Sequence, residues 1–347
     1  MSRRPARSVL AAVALTAACL TVSAPAHAAQ GPDGNCSPSV SVTGYSDALD
    51  KTTYDGTFVG NISALATDRG GRLAALSDRS SLFTLDGKTL APRSVAPLAD
   101  ERGAALDSEG LVVDRDGTYL VTSETEPSIR RYDRSGARIL ARLLVPDRLT
   151  ARARANASFE GLTLLRGGRT LLASMESPLT GDEANRLQTW RRTPTGAFEP
   201  AAQYGYRTDA NLGISEVTAA PDGRLLVLER GFTSGVGNTI RLYAAELRGA
   251  TDTSGIDELT GHKSVRLAHK TLLADLAHCP SLGAPAHQPQ PNPLLDNIEA
   301  MTVTGRGPHG ALRLLLASDD NQSANQITRF YSLTVSARRP GQIVTAG

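Results

Sequence analysis

The stretch "EGLVVDRDGTYLVTSET", residues 109–125, decides the fold because its pattern occurs five times along the chain. A short apolar strand leads into a turn at Asp116-Gly117, a second apolar strand follows, and an acidic residue stands at its end. Asp-Gly between two apolar runs is typical of a β-hairpin. The other four copies begin at Ser63, Glu160, Glu216 and Glu299.

The spacing of these copies predicts the architecture. Successive copies begin 46, 51, 56 and 83 residues apart, and several continue into a third alternating strand. A unit of about 50 residues with three or four strands is the size of a propeller blade. The sequence therefore predicts an all-β fold, a single β-propeller, with six blades favoured and five as the alternative.

Two other segments bear on how the ring is completed. The long last interval contains residues 250–265 and the Pro-rich residues 279–295, which we interpret as an insertion or a degenerate sixth blade. The N-terminal "SVSVTGY", residues 39–45, is expected to close the ring by pairing with the C-terminal strands.

The first 28 residues have the pattern of a secretory signal peptide. Arg3, Arg4 and Arg7 precede an apolar run over residues 9–22, and a small-x-small cleavage site ends at Ala28. The run is too short for a membrane-spanning helix. We therefore expect cleavage near Ala28, a secreted, extracellular protein, and one domain over residues 29–347.

Charge and cysteine content narrow the possible partners. Without residues 1–28 the chain carries 34 Lys+Arg against 35 Asp+Glu, which argues against a nucleic-acid partner. No further apolar run is long enough to span a bilayer, and we expect a monomer. Cys36 and Cys279 remain, and in an oxidising compartment they are expected to form one disulfide.

The acidic residues recur at equivalent places in the copies. In a propeller the innermost strands converge on the central channel, so side chains at equivalent places meet at one mouth. The first strands begin with glutamates in four copies, with Ser63 as the exception, and the second strands end in acidic residues: Asp78, Glu124, Glu176, Glu229 and Asp319-Asp320. Carboxylates brought together repel one another unless cations, hydrogen bonds or raised pKa values offset the repulsion.

These positions predict a metal site with a catalytic group beside it. Calcium takes about six to eight oxygen ligands, and the predicted ligands are Asp78, Glu176, Asp319, Asp320 and Asn321. Glu229 is the predicted general base, Arg230 the predicted catalytic and substrate-binding cation, and Arg79 a second substrate-binding cation. The first-strand glutamates are either part of the funnel or structural staples that bind backbone N–H groups: Glu109, Glu160, Glu216 and Glu299.

The motifs "FEGL", "LVLERGF", "DNIE" and "SDDN", in this order, resemble the bacterial phytase-like family, also described as esterase-like activity of phytase. The resemblance covers about residues 58–333. It implies an exported β-propeller that hydrolyses phosphate or carboxylic esters of small molecules, with calcium as the cofactor. The strand ends carry few basic residues, which argues against phytate and leaves simpler esters as substrates.

Two other functions fit the same mouth. One is a non-catalytic propeller that binds a ligand or partner, and the other is a lactone hydrolase. The chain lacks a G-x-S-x-G nucleophile elbow, which argues against an ordinary serine esterase.

Overall fold

The structure is a computed structural model that describes residues 34–68 and 70–336. The predicted signal peptide lies outside the described residues. Nearly all regular structure in the described part is β-strand, beginning with three N-terminal strands. These are β1 (Val40–Ser46), β2 (Thr52–Tyr54) and β3 (Thr57–Val59).

Four antiparallel sheets of four consecutive strands follow along the chain. Blade 1 consists of β4 (Ile62–Thr67), β5 (Leu73–Ser77), β6 (Ser81–Leu85) and β7 (Pro92–Pro97). Blade 2 consists of β8 (Ser108–Val113), β9 (Tyr119–Ser123), β10 (Ser128–Tyr132) and β11 (Ile139–Arg142). Blade 3 consists of β12 (Phe159–Leu164), β13 (Thr170–Met175), β14 (Asn185–Arg192) and β15 (Phe198–Tyr206). Blade 4 consists of β16 (Gly213–Ala219), β17 (Leu225–Thr233), β18 (Gly237–Glu246) and β19 (His269–Asp275).

The last blade joins the two ends of the described chain. Blade 5 consists of β20 (Ile298–Arg306), β21 (Leu312–Ser318), β22 (Phe330–Val335) and, on its outer edge, β1. β1 pairs antiparallel with β22, from Val40 opposite Val335 to Ser46 opposite Phe330. The predicted closure of the ring by the N-terminal strand is therefore confirmed.

The innermost strands β4, β8, β12, β16 and β20 contact one another in a closed cycle, which makes a five-bladed propeller. The five-blade alternative is thus confirmed, and the favoured count of six is corrected. Within the described residues, the long interval after Glu216 contributes only β17 to β19 and loops, because its Pro-rich part forms no ladder.

The disulfide joins Cys36, just before β1, to Cys279, just after β19, across a sequence separation of 243 residues. It links the outer strands of blades 5 and 4. β2 and β3 form a separate hairpin.

Helical structure in the described residues is limited to one short helix, α1 (Asp147–Thr150), and two 3-10 turns at Leu276–His278 and Pro308–Gly310. No helix in this part of the chain has the length and apolar character needed to cross a bilayer.

The core lies between the blades. Alternate residues of each strand face opposite sides of its sheet, and both sides are covered by neighbouring blades, so most residues of the inner strands are buried. Between blades 2 and 3, for example, Val112 and Leu120 of blade 2 belong to one buried cluster with Phe159 and Trp190 of blade 3, whose rings meet edge to face with 6.0 Å between centroids. This packing holds the innermost strands close enough to share one channel.

Candidate functional site

A β-bulge interrupts each blade at the same place, between the first two strands near the end where the first strand begins. A bulge places extra residues on one strand opposite fewer residues on its partner, and it changes the direction in which a side chain points. The bulged residues of the five blades in order are Ser63, Glu109, Glu160, Ser215 and Glu299.

The strand register identifies the equivalent positions on the second strands. Ile62 pairs with Ser77, the residue before Asp78, and Ile298 pairs with Ser318, the residue before Asp319. The residues that follow the paired positions, in blade order, are Asp78, Glu124, Glu176, Arg230 and Asp319.

The observed register shows that the alignment of blade 4 with the other copies of the repeat, as made from the sequence, is off by one residue on each of its first two strands. Ile214 pairs with Glu229, so the residues equivalent to the channel-facing ones of other blades are Ser215 and Arg230. Because side chains alternate between the faces of a strand, an offset of one residue places Glu216 and Glu229 on the opposite faces. The sequence does contain a signal for this register, since 15 residues separate both Ser63 from Asp78 and Ser215 from Arg230.

Three of the bulged residues, Glu109, Glu160 and Glu299, surround a cavity of about 330 Å³ at one end of the channel, together with the residues that follow the paired positions on the second strands. Two glycines that follow bulged glutamates allow the close approach of the inner strands. A Cβ on Gly110 would lie 2.4 Å from the carbonyl oxygen of Glu160, and one on Gly161 would lie 2.4 Å from the backbone nitrogen of Val217. The lining is Asp78, Arg79, Asp107, Glu109, Glu124, Asn156, Glu160, Glu176, Arg230, Asn297, Glu299, Asp319 and Asn321.

The lining is strongly acidic. Among the described residues it contains eight carboxylates, two arginines and three asparagines. Arg79 is 65% exposed and lies 3.6 Å from Asp78, whereas the Arg230 side chain is only 20% exposed. Arg230 is therefore the less exposed of the two cations in this lining.

Burial and mutual repulsion raise the pKa values of these carboxyl groups. Burial is the larger cause for Asp319, whose pKa rises to about 8, and Glu299 adds to it. Burial raises the pKa of Glu124 to about 7 and that of Asp78 to about 6. Burial and neighbouring carboxylates raise the pKa values of Glu109 and Glu160 well above the usual range. Deprotonation of the whole set requires a compensating cation.

Two groups of three carboxylates share Glu124. One oxygen from each of Asp107, Glu109 and Glu124 lies within 4.8 Å of the others, and the same holds for Glu124, Glu160 and Glu176. Glu109 and Glu160 are 9% and 6% exposed, and neither side chain forms a hydrogen bond or a salt bridge among the described residues. Buried, unpartnered carboxylate oxygens in such groups are the hard ligands that calcium prefers. The residues present therefore fit a divalent cation of this kind.

Arg230 lies beside the second of these groups, within 4 Å of Glu176. Its Nη1 donates a hydrogen bond to Oδ1 of Asn297 (2.8 Å), and its Nη2 lies 3.2 Å from Glu299 and 3.6 Å from Glu176. Its Nε–H has no hydrogen-bond partner in the described part of the chain. Asn297 in turn donates to Glu299 (2.9 Å), so the guanidinium is oriented while one donor stays available.

Glu216 lies outside the cavity and acts as a staple between inner strands. Its Oε1 accepts a hydrogen bond from the backbone N–H of Val217 (2.8 Å). Burial raises its pKa well above the usual range, and the backbone N–H groups of Val217, Leu162 and Met301 oppose this rise. Of the two roles predicted for the first-strand glutamates, Glu216 has the structural one, and Glu109, Glu160 and Glu299 line the funnel.

Glu229, the predicted general base, does not reach the cavity. It is fully buried on the other face of β17, where it accepts hydrogen bonds from the hydroxyl of Tyr206 (2.7 Å) and the backbone N–H of Asp209 (2.8 Å). Lys270 pairs with it and also with Asp209. These partners occupy its carboxylate, so the geometry gives Glu229 a structural position.

Asp320, one of the predicted metal ligands, is separated from its neighbour Asp319. Its Oδ1 accepts the backbone N–H of Asn61 (3.0 Å), and its Oδ2 pairs with Lys51. The Lys51 ammonium also donates to the carbonyl oxygens of Ser323 (2.8 Å) and Gln326 (3.0 Å). Asp320 therefore clamps the N-terminal hairpin region to the loop after β21 and does not line the cavity.

The structure brings the other predicted residues together and adds several. Asp78, Arg79, Glu176, Asp319 and Asn321 all line the cavity. Asp107 and Asn156 were missed because they stand in loops before the first strands, outside the repeated pattern. Asn297 stands within the motif "DNIE", and Glu124 is a strand-end residue to which the sequence analysis assigned no ligand role. The added lining residues are Asp107, Glu124, Asn156 and Asn297.

Solved structures similar to this chain include a chain of the mitotic checkpoint complex, at 14% identity and a TM-score of 0.33, covering 50% of this chain and 47% of that chain. This chain thus spans less than half the length of that protein. The calcium-binding protein regucalcin from Agrobacterium tumefaciens is similar at 15% identity and a TM-score of 0.41, covering 81% and 79%. A protein assigned as a gluconolactonase is similar at 14% identity and a TM-score of 0.39, covering 78% and 73%.

A search of curated protein sequences finds no match to this chain. A comparison with family models does find one. The model of the phytase-like family, described as esterase-like activity of phytase, matches residues 57–322. This range includes four whole blades and the first two strands of the fifth, together with all thirteen residues that line the cavity. Because the match covers most of the chain, the protein belongs to the phytase-like family.

Proposed function

We propose that the protein is an exported, calcium-dependent hydrolase of phosphate or carboxylic esters and that the acidic cavity is its active site. The observation that carries the proposal is the convergence of eight carboxylates and Arg230 on one cavity. Membership of the phytase-like family supports the reaction class. The predicted signal peptide and the Cys36–Cys279 disulfide support export.

The two carboxylate groups that share Glu124 would hold calcium. They are Asp107, Glu109 and Glu124 on one side, and Glu124, Glu160 and Glu176 on the other. Bound calcium would neutralise these carboxylates and supply Lewis-acid polarisation of an ester or phosphoryl oxygen. Without a cation, an acidic cavity repels an anionic substrate.

Arg230 binds and orients the substrate. Asn297 and Glu299 hold the guanidinium in place, and the unpartnered Nε–H can donate a hydrogen bond to a substrate oxygen. A planar guanidinium suits phosphate and carboxylate, and a donor held in place before reaction stabilises negative charge that develops on the substrate.

The cavity favours a substrate with one anionic or ester group. It measures about 330 Å³, and its lining contains only Arg79 and Arg230 as cations within the described residues. A substrate with many phosphates, such as phytate, requires more basic groups than this lining provides. Simple monoesters therefore fit the charge and size of the site better.

The test measures calcium binding and turnover together. Isothermal titration follows calcium binding, and turnover is measured on nitrophenyl phosphate, nitrophenyl esters, phytate and lactones, with calcium and with chelator. We expect turnover of a monoester that chelator abolishes. Glu160→Gln should lose both calcium affinity and turnover by at least about tenfold, since it removes one charged ligand.

Two neighbouring aspartates provide a matched control. Asp319→Asn should weaken calcium binding and turnover because it removes a negative charge from the cavity lining, whereas Asp320→Asn should retain calcium binding because its side chain pairs with Lys51. Equal effects of the two substitutions on calcium affinity would contradict the assignment of the cavity. Calcium binding without turnover of any compound would favour the non-catalytic binding propeller, and turnover of lactones alone would favour the lactone hydrolase.

A further inference from the structure

The second strand of blade 4 continues past the cavity, unlike the second strands of the other blades. β5, β9, β13 and β21 end at Ser77, Ser123, Met175 and Ser318, each directly before a residue that lines the cavity. β17 instead runs through Arg230 to Thr233. At about 3.3 Å per residue, the three added residues extend the strand by roughly 10 Å beyond the cavity wall.

The extension is a paired and braced hairpin, which we call the lip and define as residues 231–237. Its ladder continues without a register shift to Thr233 opposite Gly237. The backbone N–H of Asn238 donates to the side chain of Gln290 (2.8 Å), and a Cβ on Gly237 would lie 2.4 Å from the carbonyl oxygen of Pro289. The lip is thus held against the loop at residues 289–290.

The lip presents apolar side chains beside a polar cavity. Phe232 is 55% exposed and Val236 is 56% exposed. Phe232 lies two residues after Arg230 in an unbroken ladder, so both side chains are on the same face of β17. The cavity lining itself contains no apolar residue within the described part of the chain.

We propose that the lip binds the apolar group of the substrate and that the substrate class is therefore monoesters of apolar alcohols or acids. This inference rests on the proposed function of the cavity. Arg230 contacts the polar ester or phosphate group, and Phe232 and Val236 contact an alkyl or aryl group attached to it. The exposed apolar surface is thereby removed from water only when a substrate of this class is bound.

The test compares short and long alkyl chains. We expect the wild-type protein, with calcium, to prefer hexyl phosphate over ethyl phosphate by about tenfold in kcat/KM, which corresponds to nearly complete burial of about two methylenes. The double variant Phe232→Ser and Val236→Ser should lose this preference. Leu140→Ser, which alters an exposed apolar residue on blade 2, should retain it. A parallel series of nitrophenyl acetate and hexanoate distinguishes phosphate from carboxylic esters.

Three results would overturn the proposal. The first is an equal preference for hexyl phosphate in the wild type and the double variant. The second is the absence of any preference in the wild type, and the third is loss of the preference in Leu140→Ser. If no ester is turned over, the proposed function fails, and the lip is tested by titrating calcium-loaded protein with ethylphosphonate and hexylphosphonate. Tighter binding of hexylphosphonate that the double variant loses would support the lip, and equal binding would refute it.

Discussion

Blade 4 differs from the other four blades in the charge that it presents to the cavity. Blades 1, 2, 3 and 5 each place a carboxylate directly after their second strand, whereas blade 4 places Arg230 at the equivalent position and Ser215 at the bulge. Blade 4 is thus the blade whose second strand supplies a cation. The cavity therefore has an acidic wall suited to a metal and one basic position suited to an anionic or polar substrate.

The two faces of β17 show how neighbouring residues acquire opposite roles. Arg230 points into the cavity, where Glu109 and Glu160 form no hydrogen bond or salt bridge within the described residues, and Glu229 points into a cluster in which Lys270 balances its charge. In that outer cluster, hydrogen bonds from Lys270, Tyr243 and Arg241 outweigh burial and lower the pKa of Asp209 to about 2. In the cavity, burial raises the pKa of Asp319 to about 8. Carboxylates whose charge is balanced by neighbouring donors stabilise the fold, and carboxylates without such partners are available to bind a cation.

The largest effect is expected from Lys270→Met. The substitution leaves Glu229 fully buried without its cation, and removal of one partner of a buried pair costs about 3 to 5 kcal/mol. Chemical denaturation should show this loss, while calcium affinity at the cavity should not change. Adding Glu229→Gln should restore much of the stability, and a double variant as unstable as the single one would contradict the pairing.

A smaller effect, on activity, is expected from Arg230→Met. It removes the positioned donor from the cavity, and loss of one such donor costs about a hundredfold in turnover, or about 2.7 kcal/mol. Steady-state kinetics with calcium present would measure this loss. Arg79→Met serves as the comparison, since its side chain is 65% exposed and should affect turnover much less. Equal losses in the two variants would show that blade 4 has no special role.

The smallest effect concerns the pH dependence of stability without calcium. Because the folded-state pKa values of Asp78, Glu124 and Asp319 are raised to between about 6 and about 8, their contribution to stability is fully present below about pH 4. It is lost as the pH rises through the folded-state values. We expect stability to fall between pH 5 and 8, seen as a falling Tm.

Calcium should remove this dependence, since it stabilises the deprotonated carboxylates. Glu160→Gln should raise Tm at pH 8 in chelator and reduce the gain from calcium. Asp209, in the cluster around Glu229, does not make stability fall between pH 5 and 8, because its pKa is already lowered. A metal-free protein whose Tm rises from pH 5 to 8 would refute the description of the cavity.

The sequence by itself determined the all-β propeller, the closing strand, the disulfide and most of the cavity residues. The repeat is long enough to define a blade, and Asp-Gly turns define its hairpins. It also indicated that the carboxylates of different blades meet, because equivalent positions in a ring share one channel. Asp78, Glu176 and Asp319 were predicted on this basis, and they line the cavity.

Only the tertiary structure decided which face of each strand reaches the channel and how many blades close the ring. A bulge or an offset of one residue reverses the direction of a side chain, yet changes the apolar pattern little. For this reason Glu229 lies away from the predicted mouth while Arg230 lines it, and Asp319 and Asp320 separated into a cavity residue and a clamp. Loop residues such as Asp107 and Asn156 joined the site because distant segments fold over one mouth, a proximity that no local pattern encodes.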